Sequence, residues 1–136
     1  MKKVLVAAIA VLSIGLLVSP SASAESARAF DCAPPQPQGN GVLAVEVVTA
    51  GGPGCNVLRM IAYLRPVGPP TQRGFFHFFG PRGSIGDSQT KLWTMYESAR
   101  IEVNQSAWSG SLWCAEFWMQ TPPSFTRASE PVCGTI

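Results

Sequence analysis

Apolar residues recur at every second position along most of the chain, and no long stretch keeps a helical period with a cap at each end. The pattern therefore predicts strands. From Val42 to Thr49, Leu43, Val45 and Val47 fall on one side while Ala44, Glu46 and Val48 fall on the other. Ala50-Gly51-Gly52-Pro53-Gly54 breaks that run. The next, Val57 to Arg65, sets Leu58, Met60, Ala62 and Leu64 against Arg59, Ile61, Tyr63 and Arg65, and it stops at Pro66 and Pro69-Pro70. Phe75-Phe76-His77-Phe78-Phe79 is apolar on both faces, which suits a central strand. Gly80-Pro81-Arg82-Gly83-Ser84 reads as a turn, with Gly83 free to take positive φ.

Lys91 to Tyr96 fits a strand or a short helical turn, whereas Arg100 to Gln105 alternates as a strand with Ile101 and Val103 on one side. A turn at Trp108-Ser109-Gly110-Ser111 leads into Leu112 to Met119. There Trp113, Ala115, Phe117 and Met119 form one apolar face, and Leu112, Cys114, Glu116 and Trp118 form the other. Gln120 to Glu130, with Pro122-Pro123, is expected as a connecting loop into a last strand at about Pro131 to Thr135. Six or seven short strands with turn chemistry between them predict an all-β fold, a small antiparallel β-sandwich or barrel-like domain.

One segment departs from this pattern. Lys2 and Lys3 precede an uncharged apolar run from Val4 to Val18, followed by Ser19-Pro20-Ser21-Ala22-Ser23-Ala24. Small residues at Ala22 and Ala24 complete the three-part form of a cleaved secretory signal, predicting residues 1–24 as signal peptide and Glu25 as the mature start. Ala27-Arg28-Ala29 is a weaker second cut site. The apolar run is shorter than the roughly 20 residues a spanning helix needs, so no membrane anchor is expected after cleavage. Residues 25–40 then read as a flexible Pro-rich segment and residues 41–136 as a single β domain, secreted to the extracellular side.

Charge narrows the partners. Removing residues 1–24 removes Lys2 and Lys3, which account for the whole formal charge of +2, and leaves a neutral mature chain. Without a basic stripe to neutralise phosphates, nucleic acid is not an expected partner. Four cysteines in an exported chain predict two disulfides. Of the three possible pairings, Cys32 with Cys55 and Cys114 with Cys133 is favoured because each closes a short local loop. The spacings lack a Cys-x-x-Cys element and His77 is the sole histidine, so neither a metal nor a cofactor is expected.

Candidate chemistry is sparse. His77 is the one imidazole base, flanked by Phe75 and Phe79 on the same strand face, and the chain has no Gly-x-Ser-x-Gly elbow. Glu97, Glu102 and Glu116 are the acids weighed for a carboxylate pair, Glu116 for a raised affinity for its proton if buried between Cys114 and Trp118. Asn104-Gln105-Ser106 matches a glycosylation sequon. The strongest feature is aromatic: four tryptophans and seven phenylalanines. Trp113 is expected in the core, whereas Trp108 and Trp118 are the candidates for a ligand surface, with Glu116 and His77.

These observations favour a non-catalytic extracellular binding or interaction domain whose partner is a glycan, peptide or protein. The alternative is a secreted protease inhibitor using a disulfide-anchored loop, at Pro34-Pro35-Gln36-Pro37-Gln38 or Gly52-Pro53-Gly54-Cys55. A small secreted hydrolase built on Glu116 or His77 is the third reading. The general build resembles that of small exported β proteins, with no motif that carries a family.

Overall fold

A computed structural model of the protein describes residue 32, residues 35–51 and residues 54–136. The expected signal peptide and the start of the Pro-rich segment lie outside the described residues. Ten strands occur among the described residues: β1 (Gln38–Gly39), β2 (Leu43–Ala50), β3 (Asn56–Leu64), β4 (Thr71–Gly80), β5 (Gly83–Asp87), β6 (Lys91–Thr94), β7 (Ser98–Ser106), β8 (Leu112–Thr121), β9 (Ser124–Arg127) and β10 (Val132–Thr135). No helix occurs among the described residues.

The strands form two antiparallel sheets. One has the order β1-β2-β3-β7. The other is centred on β4 and β8, which pair from Gly74–Met119 to Phe79–Cys114. The free edge of β4 is shared by β6, on Thr71 to Gly74, and β5, on His77 to Gly80. The free edge of β8 is shared in the same way by β10, on Leu112 to Ala115, and β9, on Trp118 to Thr121. The sheets meet face to face and curl together where β10 approaches β2 and β5 approaches β7.

The core follows from the alternation. Leu43, Val45, Val47, Val57, Met60, Ala62, Leu64 and Ala99 line the inner face of the first sheet. Phe76, Phe78, Trp93, Trp113, Ala115, Phe117 and Val132 line the inner face of the second. An aliphatic layer therefore packs on an aromatic one, and the buried indole donors are satisfied: Trp93 Nε1 donates to the Gly74 carbonyl at 3.0 Å and Trp113 Nε1 to Ser111 Oγ at 3.1 Å.

Both disulfides have the favoured pairing, Cys32–Cys55 and Cys114–Cys133. The second joins residues directly opposite each other on β8 and β10. At its distal end the Pro-rich segment is paired, Gln38 and Gly39 lying against Val45 and Ala44.

Three expectations are corrected. Leu58 does not share the face of Met60, because it is an extra residue opposite the Val48–Thr49 step. This β-bulge turns Val57 into the core instead. Gln120 to Glu130 is not a plain loop: β8 continues to Thr121, and a tight turn returns β9 along its edge. The count of six or seven strands is too low because β1, β5 and β9 carry no apolar alternation of their own; they are short edge strands recruited by longer neighbours.

Candidate functional site

The outer face of the second sheet carries side chains in transverse rows set by register. In one row, His77 of β4 lies between Asp87 of β5 and Glu116 of β8. In the next, Trp118 of β8 lies between Phe75 of β4 and Arg127 of β9. A third brings Phe125 of β9 beside Gln120 of β8, which accepts a 2.8 Å hydrogen bond from Arg73 Nε. Such rows repeat about every 7 Å along a strand, since alternate residues share a face.

Glu116 is the most enclosed of these groups, only 8 % exposed. Its Oε1 accepts the indole N–H of Trp118 at 2.8 Å, and its Oε2 lies 3.6 Å from Arg127 Nη1. Arg127 also reaches Glu130, at 3.2 Å. Both oxygens of Glu116 are thus occupied within the fold. Its carboxylate orients Trp118 by holding the N–H edge of the indole. His77 contacts Asp87 through Nδ1 at 2.5 Å, and its ring lies 5.7 Å from that of Phe79 at an interplanar angle of 24°.

The apolar part of the face is ordered as well. The rings of Phe75 and Trp118 are parallel within 7° with centroids 6.4 Å apart, an offset arrangement. Phe125 stands edge-on to Phe75, at 5.1 Å and 70°. Two parallel rings therefore have a third raised beside them, with charged rows at the border.

Of the four expected ligand residues, the fold brings His77, Glu116 and Trp118 together and separates Trp108. That residue is 48 % exposed in the turn between β7 and β8, at the Leu112 end of β8. Trp118 is near the other end, about 20 Å away at roughly 3.3 Å per residue. The three acids weighed as a pair are also dispersed. Glu97 contacts Lys91 and the Thr94 amide, and these hydrogen bonds hold its carboxyl below the usual carboxylate range. Glu102 sits opposite Arg59 on the other sheet. Of the loop proposed for inhibition, Pro34, Gly52 and Pro53 lie outside the described residues, while Cys55 is buried in its disulfide.

Phe75, which parity already places on the face of His77, belongs to the site, and Asp87, Arg127 and Phe125 complete it without having been singled out by the linear pattern. Of these three, a signal existed for Asp87 alone: the Pro81-Arg82-Gly83 turn folds a strand back along β4, and Gly83 does take positive φ, 105°. Arg127 and Phe125 depend on β9, which the alternation does not reveal.

Fold and face together define a small two-disulfide antiparallel β-sandwich with alternating aromatic and charged rows on one outer sheet face. Comparison with known protein families, with curated proteins and with solved structures finds no match to this chain.

Proposed function

We propose that this protein is an exported, non-catalytic binding domain and that the outer face of β4, β8 and β9 receives a sugar ring of an extracellular glycan. The parallel pair Phe75 and Trp118 is the observation that supports this reading. A pyranose has one flat C–H face and a rim of hydroxyls, so it is recognised by an aromatic surface bordered by hydrogen-bonding groups. Here Gln120, Arg73 and Arg127 form that border. The anchoring of Trp118 by Glu116 reduces the entropy lost when a ligand stacks on the indole. Export is supported by the apolar leader pattern at Val4 to Val18 and by the two disulfides.

The engagement of both Glu116 oxygens favours binding over hydrolysis at that carboxylate, since a general acid or base needs a free site facing its substrate. The processed protein is therefore expected to bind members of a glycan array and to leave them intact. Trp118→Ala should abolish that binding while the fold persists. Absence of binding to every array glycan, or unchanged binding by Trp118→Ala, would overturn the proposal.

A further inference from the structure

The four-stranded sheet carries a separate concavity on its own outer face, on the opposite side of the sandwich from the aromatic rows. It encloses about 310 Å³ and is lined by Pro37, Gln38, Gly39, Ala44, Tyr63, Arg65, Pro66 and Tyr96. We propose that this cleft captures the C-terminal carboxylate of an extended peptide, with Arg65 as the carboxylate-binding residue.

The cleft has a local cause. Gly39 and Ala44 are register partners on adjacent strands, and Tyr63 is the next residue across from Ala44. Two small residues side by side leave a depression, and Tyr63 walls it. The Arg65 guanidinium lies over Gly39, where an added Cβ would come within 3.0 Å of Nη1. That nitrogen donates to the Asn40 carbonyl at 3.1 Å, an exposed contact that directs the group across the cleft. Among the described residues Arg65 has no acidic partner, and no acid lines the cleft. An exposed guanidinium with no acidic partner among the described residues, at the border of a half-apolar recess, suits a carboxylate, which it can meet with two parallel N–H donors.

The remaining features favour a peptide as the source of that carboxylate. β1 is the edge of its sheet, so among the described residues the backbone groups of Gln38 and Gly39 on the side away from β2 have no ladder partner, and they can pair with an extended chain. Pro37, Pro66 and the two tyrosines provide stiff apolar walls. The volume is at the small end of the ~300–1,000 Å³ typical of ligand pockets, which suits a terminal residue and its neighbour.

Tyr96 gives an independent indication. It is 67 % exposed and has φ of 63°, a left-handed backbone that disfavours a bulky side chain by roughly 1 kcal/mol, whereas glycine adopts it freely. Its amide donates to the Leu64 carbonyl at 3.1 Å, which places the ring at the rim of the cleft. A tyrosine at this position opposes local stability, consistent with a role in contacting a ligand.

The test is a ¹⁵N NMR titration of the processed full chain with acetyl-Ala-Pro-Phe as the free acid, the same peptide as its amide, and glucuronic acid. The free acid should shift the amides around Gly39, Ala44, Tyr63 and Tyr96, and the amide form should bind at least about 10-fold more weakly. Arg65→Gln should reproduce that loss, and Ala44→Leu should fill the recess and abolish binding. Tyr96→Gly should weaken binding without lowering Tm. Trp118→Ala should bind the peptide normally, so loss of the glycan site and loss of this one are separable. Equal affinity for acid and amide, preference for glucuronic acid over the peptide, shifts confined to other surfaces, or no shifts at millimolar peptide would each overturn the proposal. If Arg65→Gln or Ala44→Leu fails to fold, the acid-against-amide comparison on the wild-type protein decides.

Discussion

Trp118 donates its indole N–H to Glu116, two positions earlier on the same strand, at 2.8 Å. Residues two apart on a strand share a face, so this contact needs no help from chain topology; what makes it consequential is the cover supplied by Arg127 from β9. Together they hold an acid in a nearly closed position on an otherwise open sheet face.

Replacing that acid separates its two roles. Glu116→Gln keeps a carbonyl oxygen for the indole and should cost about 1 kcal/mol or less, whereas Glu116→Leu leaves the Trp118 donor without its acceptor and should cost about 1–3 kcal/mol, Arg127 keeping Glu130. Urea denaturation of the two variants measures the difference. Equal losses would show that the hydrogen bond does not orient the ring.

Gly74 of β4 has no room for a side chain against β8. A Cβ there would lie 2.1 Å from the Trp118 carbonyl oxygen and 2.8 Å from the Phe117 ring, and the first of these is backbone that a rotamer change cannot move. Gly74→Ala is therefore expected to destabilise by about 3 kcal/mol, at the upper end of overpacking costs, and to disturb the aromatic rows above it. Thermal unfolding and the Trp fluorescence spectrum report the two effects. A wild-type Tm in this variant would contradict the close packing.

The two disulfides span 23 and 19 residues, and by loop closure each should stabilise the fold by roughly 3 kcal/mol. Removing Cys114–Cys133 by paired Ser substitutions should loosen the β8–β10 edge, whereas removing Cys32–Cys55 should release the segment leading into β1. Hydrogen exchange localises each loss. Mass spectrometry of the unreduced protein should find no free thiol.

Glu97 makes one contribution to the pH dependence of stability. Lys91 and the Thr94 amide hold its carboxyl below its ordinary value of 4.5, so its contribution to stability is present above that value and lost as pH falls through the lower, folded one. The Tm difference between wild type and Glu97→Gln should be largest near neutrality and shrink at pH 3. A difference that is constant across that range would remove Glu97 as the cause.

Period-two alternation determines the long strands and their inner faces, because a residue's side on a pleated strand depends only on its parity. Leu43, Val45 and Val47 were assignable to the core on that ground, as were Trp113, Ala115 and Phe117. The disulfide partners were legible too, since short loops close most readily. Parity is blind to insertions, and the bulge that exchanges Leu58 for Val57 is decided by how β3 fits β2.

The site was legible only in fragments. His77, Glu116 and Trp118 stand out as residue types, but that Glu116 faces His77, and that Asp87 and Arg127 flank them, is a matter of register between strands far apart in the chain. Which residues share a strand face is a local property of the backbone and follows from parity alone. Which faces lie side by side, and hence that Trp108 is excluded while Arg65 overlies Gly39, was decided by tertiary pairing, whose energy comes from burying the whole core at once.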